Sequence, residues 1–160
     1  MTPPSLGATG ATRAFDPGEA LDLRRKRQRD LVEVIALRAE LLPPRDRALV
    51  EAIYREGASA KEVALLAGVS PRSVRRRLRA LVQRMLDPRF VFVARSRDAW
   101  PRQRRAVATA CVLHGLSLRE AAKALGLSLH CVRRHMQAVQ TLFEAEQAQR
   151  RNDALARRSA

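Results

Sequence analysis

Residues 57–79 read GASAKEVALLAGVSPRSVRRRLR, and 58 positions further on residues 115–137 read GLSLREAAKALGLSLHCVRRHMQ. Each stretch carries its own start and stop signals. Ser59 with Glu62, and Ser117 with Glu120, have the Ser-x-x-Glu spacing of a capping box. In that motif the hydroxyl accepts from the third helical amide while the Glu carboxylate accepts from the cap amide. A short helix follows in each case and meets Gly68 or Gly126, the residue type that closes a helix in the left-handed conformation. A second helix opens at Ser70, with Pro71 as its first helical residue, and at Ser128 in the other stretch. Capped short helix, glycine turn and capped longer helix make a helix-turn-helix. Ala64 and Ala122 are small enough to let the paired helices cross closely, and Val69 and Leu127 are expected to plug the turn into the core.

The 58-residue register extends outward. Arg47-Ala48 recurs as Arg105-Ala106, Pro43 as Pro101, Ala36 as Ala94, and Val74-Arg75-Arg76 as Val132-Arg133-Arg134; Val32, Val34 and Ile35 answer to Phe90, Phe92 and Val93. The chain therefore divides into a disordered, basic N-terminal segment (1–29), repeat 1 (30–87), repeat 2 (88–145) and a flexible basic tail (146–160). Two further helices precede each helix-turn-helix. One spans 31–42 before Pro43-Pro44, with a counterpart opened by Asp87-Pro88; the next spans 45–56 and stops at Gly57, as its counterpart stops at Gly115. FVFV at 90–93 has strand-like composition, but its match to LVEVIAL at 31–37 favours helix. Hydrophobic residues make up 46% and aromatics only 4%, so the core must be aliphatic side chains packed between helices. The expected fold is all-α: two tandem four-helix modules, each with a helix-turn-helix. At about 58 residues each, the modules are near the lower limit of independent stability and are expected to pack on each other.

Charge sets the partner. The formal net charge is +15, and of 31 basic residues only Lys26, Lys61 and Lys123 are lysine. A GC-rich coding bias would account for Arg over Lys, but not for the excess of positive charge, which calls for a polyanion. A projection at about 100° per residue places Val74, Leu78, Leu81 and Met85, and Val132, Met136, Val139 and Phe143, on the buried sides of the two second helices. Opposite them lie Arg72, Arg76, Arg79 and Gln83, with Arg75 at the margin. On the other helix His130, Arg134, Gln137 and Thr141 face outward, with Arg133 at the margin. Such a face is either a solvated basic surface or the base-reading edge of a helix in the major groove, where Arg suits guanine and Gln suits adenine.

The stretch LLPPRDRALVEAIYREGASAKEVALLAGVSPRSVRRRLRAL (41–81) resembles region 4 of bacterial RNA polymerase sigma factors. SLREAAKALGLSLHCVRRHMQAV (117–139) is similar to the same module or to the LuxR-type DNA-binding domain. The resemblance implies that the helices from Pro71 and Leu129 are recognition helices, with Ser70, Arg72, Arg75, Arg76 and Arg79, and Ser128, His130, Arg133, Arg134 and Gln137, facing DNA. It also implies double-stranded DNA as partner and RNA polymerase as a second candidate. No stretch resembles the aromatic-rich region 2 of a sigma factor.

Other chemistries find little support. Cys111, His114, Cys131 and His135 mimic a zinc ligand set, but the equivalent positions 58 residues earlier are Ile53, Glu56, Ser73 and Arg77, so the same fold is built there without ligands. No phosphate loop, no nucleophile with a paired base and no carboxylate cluster marks an enzyme, and no cofactor is implied. Two cysteines without a CxxC pair, no apolar run of membrane length and no leader fit a cytoplasmic protein. The expected function is a DNA-binding transcription regulator. Two alternatives stay open: a region 4-like module that contacts RNA polymerase or a sigma factor, and a sequence-independent architectural DNA-binding protein.

Overall fold

The computed structural model describes residues 29–158, and all regular structure in that range is helical. The N-terminal segment 1–28, including most of the basic run 24–29, lies outside the described residues. The helices are α1 (29–39), α2 (Pro44–Tyr54), α3 (Ala60–Ala67), α4 (Pro71–Leu86), α5 (Pro88–Ser96), α6 (Arg102–Ala108), α7 (Leu118–Leu125) and α8 (Leu129–Arg158). A 3-10 turn at Arg97–Ala99 leads towards α6, and a π-helical turn at Thr109–Leu113 extends it.

Local signals act as their chemistry requires. Ser59 Oγ accepts from Glu62 N at 3.2 Å and Glu62 Oε2 accepts from Ser59 N at 2.6 Å; Ser117 and Glu120 repeat this at 3.2 and 2.7 Å. These bonds favour the carboxylate form and hold both glutamates below the ordinary Glu range. Among the described residues those with positive φ are all glycine and fall 58 apart in pairs, 72° at Gly57 and Gly115 and 64° at Gly68 and Gly126. FVFV lies within α5, because Asp87 accepts from Arg89 N at 2.7 Å and Pro88 opens the helix.

Three details depart from the sequence reading. Helix α1 ends at residue 39 and leaves 40–42 as a turn, since Leu41 and Leu42 donate to the carbonyls only three residues back. The tail, expected to be flexible from 146, continues α8 to Arg158. It contains no Gly or Pro and is laced by Arg150–Glu146 (2.8 Å) and Gln149–Asp153 (2.9 Å) pairs four residues apart. Val69 does not plug the first turn but is 49% exposed. Around the second turn Leu116, Leu118, Leu125 and Leu127 close over a small core of Val107, Ala110, Ala121 and Val132. Positions 58 residues earlier than the first three leucines hold Ala58, Ala60 and Ala67. Too little side chain remains there to cover Val69, and a groove of about 530 Å³ opens along Leu49, Val63, Leu66, Val69 and Val74.

The main core is not divided at residue 87. Ile35, Ala39 and Leu42, Val50 of α2, and Leu81 and Met85 of α4 form one cluster with Phe90, Phe92 and Val93 of α5, Ala108, Leu113, and Val139 of α8. Phe92 packs at 5.6 Å from both Trp100 and Phe143, so the few aromatics gather where α5 meets α8.

A polar latch crosses the same boundary. Asp46, 8% exposed, accepts from Arg77 Nε and Nη2 at 2.9 and 2.7 Å and from Arg84 Nη2 at 3.3 Å. Arg84 Nη1 donates to the carbonyl of His114 at 3.0 Å, tying α2 and α4 to the π-helical turn. Gly115 borders this latch: a Cβ on it would lie 1.7 Å from Arg84 Nη1, whereas one on Gly57 meets nothing within 4 Å. Gly57→Ala should cost only the left-handed backbone penalty, about 1–2 kcal/mol. Gly115→Ala must also push Arg84 off its carbonyl, adding about 1 kcal/mol. Urea melts of the two variants measure the difference, and equal midpoints would show that the latch contributes nothing.

Candidate nucleic-acid interface

Helix α4 is held at both ends of its inner face. Val74, Leu81 and Met85 are buried and Leu78 is partly so, while Arg77 and Arg84 are turned back to Asp46. What remains outside is Arg72, Arg75, Arg76, Arg79 and Gln83, all exposed. At its start Ser70 Oγ accepts from Ser73 N at 3.2 Å and lies 2.9 Å from Ser73 Oγ.

The first half of α8 is built alike. Ser128 Oγ accepts from Cys131 N at 3.1 Å, Val132 and Val139 are fully buried, and Met136 and Phe143 are partly buried. His130, Arg133, Arg134, Gln137 and Thr141 are exposed; Thr141 Oγ1 donates to Gln137 O at 3.1 Å. Past Phe143 the helix is anchored sideways, where Arg95 of α5 and Arg150 pair with Glu146, and Arg89 lies 6.0 Å from the Phe143 ring centroid.

All twelve sequence-derived candidates, Ser70 and Ser128 included, are therefore solvent-exposed on the outer sides or the starts of these two helices. Arg72, Arg75, Arg76, Arg79, Arg133 and Arg134 have no hydrogen bond or ion pair among the described residues. Six guanidiniums thus keep their full donor capacity for an incoming anion or base edge, and no carboxylate competes for them. The sequence reading did not single out Arg77 and Arg84. Their partner lies 31 or 38 positions away, so nothing within one helical turn distinguishes them from their neighbours.

The Cys/His set is dispersed into packing. Burial pushes the Cys111 thiol up, so it stays protonated, and it packs against the small core. Burial, then Arg84 and Arg97, lower the His114 imidazole, with Asp46 opposing them; burial, then Arg134 and Arg104, lower that of His135. Among the described residues no group of three or more His, Cys, Asp or Glu is placed to hold a metal ion. Nor is any helix there long and apolar enough to cross a membrane.

Residues 33–85 match the family model of Sigma-70, region 4. This third of the chain, from α1 to the last turn of α4, is similar to that DNA-binding helix-turn-helix module of transcription. The match opens within α1, ahead of the stretch from Leu41 that carries the resemblance in the sequence, and α1 supplies Ile35 and Ala39 to the same core as α4. No curated protein and no solved structure matches the chain.

Proposed function

We propose that this protein is a transcription regulator that reads double-stranded DNA with two recognition helices, α4 and the first half of α8, each laid in the major groove. The observation that carries the reading is the row of unpaired arginines on the outer side of α4, within the stretch similar to region 4. The second helix shares its serine N-cap, a buried valine at the matching place (Val74 and Val132) and an exposed arginine pair, Arg133-Arg134 answering to Arg75-Arg76, which supports a second module of the same kind. Two such helices on one face of a duplex would sit about 34 Å apart, one turn of roughly 10 bp. Their outer faces differ, arginine on α4 against His130 and Gln137 on α8, so the two half-sites should differ in sequence. The reading places the protein in the cytoplasm with DNA.

Selection of binding sites from a randomised duplex library, followed by substitution, tests it. Arg76→Ala and Arg134→Ala should leave stability within about 0.5 kcal/mol, since both residues are exposed and unpaired. Each should weaken the selected site by about 1–3 kcal/mol and relax preference at one base position. Equal losses on selected and scrambled duplexes would refute base reading and favour a sequence-independent architectural protein.

A second reading, contact with RNA polymerase or a sigma factor, draws on a different observation: Leu65 and Leu66 of α3 are 84% and 89% exposed beside the groove at Val69. If Leu65→Ser with Leu66→Ser abolishes a polymerase interaction while Arg76→Ala and Arg134→Ala leave DNA affinity untouched, this reading replaces the first.

A further inference from the structure

A cleft of about 520 Å³ lies between the 3-10 turn, α6 and the π-helical turn, away from the outer sides of α4 and α8. Arg97, Asp98, Arg102, Arg105, Thr109 and His114 line it. Positions 58 residues earlier hold Ala39, Glu40, Pro44, Arg47, Glu51 and Glu56. Those positions hold one arginine and three glutamates, and Glu51 is bound to Arg47 Nε at 2.9 Å and to Arg55 Nη1 at 3.4 Å. Here three arginines face one aspartate, and the position of Glu51, which would neutralise Arg105, is taken by Thr109. Arg102 and Arg105 are exposed, with no hydrogen bond or ion pair among the described residues. Arg97 reaches only Thr109 Oγ1 at 3.4 Å and Asp98 at 3.9 Å.

We propose that this cleft is a binding site for a phosphate-bearing anion, with Arg97, Arg102 and Arg105 as its cationic walls and the Thr109 hydroxyl as a further hydrogen-bonding group. Three converging guanidiniums with one carboxylate among them carry uncompensated charge, and planar guanidinium forks match phosphate oxygens bidentately. The volume falls within the range of small-ligand sites, roughly 300–1,000 Å³. The π-helical turn, a departure from regular helix of the kind found at functional sites, forms one wall through Thr109 and Ala110. The phosphate can belong to the backbone of a bound duplex or to a free phosphorylated molecule. The chemistry of the site is the same for both.

The test titrates the full-length chain, free of DNA, with pyrophosphate at constant ionic strength, by calorimetry and by the ring resonances of His114. Saturable one-to-one binding is expected. Arg102→Gln with Arg105→Gln should weaken it at least tenfold, because both side chains are exposed and their replacement leaves the core intact. Arg76→Ala should bind pyrophosphate as the parent does, which separates this site from the DNA-reading helices. If added duplex displaces pyrophosphate, and the double variant lowers the salt dependence of DNA binding by about two contacts, the occupant is the DNA backbone. If pyrophosphate binds equally in the presence of duplex, the occupant is a free ligand. Absence of saturable binding, or equal affinity in the double variant, overturns the proposal whether or not the chain binds DNA.

Discussion

DNA affinity of the intact chain should collapse with salt. If both helices engage one duplex through roughly 6–10 phosphate contacts, log K against log salt falls with a slope of about −5 to −9. Between roughly 50 and 200 mM salt that is a loss of about 10³ to 10⁵ in affinity. The physical cause is release of condensed counterions, and the donors are visible: six exposed arginines on α4 and α8 carry no partner among the described residues, so binding breaks no internal ion pair. Arg77 and Arg84 should contribute little, because Asp46 holds both. Fluorescence anisotropy of a labelled duplex across a salt series measures the slope. A slope near zero would remove DNA as the partner. A slope of about half the expected size that is unchanged by Arg134→Ala would mean that α4 alone contacts the duplex.

Phe90→Ala should destabilise the whole protein and not one half of it. Phe90 is fully buried in the cluster that contains Leu81 and Met85 of α4 and Val139 of α8. Removing a ring from such a core costs about 3–5 kcal/mol, through lost transfer energy and the cavity left behind. That is a large share of the roughly 5–15 kcal/mol that holds a typical protein folded. Because residues of both segments meet in this core, urea denaturation followed by helicity should show a single transition moved to lower midpoint. Two separated transitions, with only one moved by Phe90→Ala, would mean that the segments fold independently and that the shared core carries little energy. The recognition helices bear on this result directly. Their inner faces end in this one cluster, at Leu81 and Met85 on α4 and at Val139 on α8, so the core that stabilises the chain also sets their relative placement.

What could be read without the structure is what depends on neighbours three or four residues apart. Ser59 with Glu62 and Ser117 with Glu120 are complete within one helical turn, so their capping bonds follow from spacing alone. Gly68 and Gly126 end their helices for a reason contained in the backbone: no other residue enters the left-handed region as freely. The exposed arginines of α4 and the buried Val74, Leu81 and Met85 follow from helical periodicity. Tertiary structure decided the rest. Asp46 finds Arg77 and Arg84 from another helix, and no local rule marks those two arginines as structural and Arg76 as free. Val69 and Leu127 occupy matching places in sequence. Leu127 packs with leucines at 116, 118 and 125 against one small core, whereas Val69, with alanines at 58, 60 and 67, is left exposed. The boundary at residue 87 is plain as a helix stop, yet the core runs through it, because burial is settled by which surfaces meet in space and not by where one helix ends and the next begins.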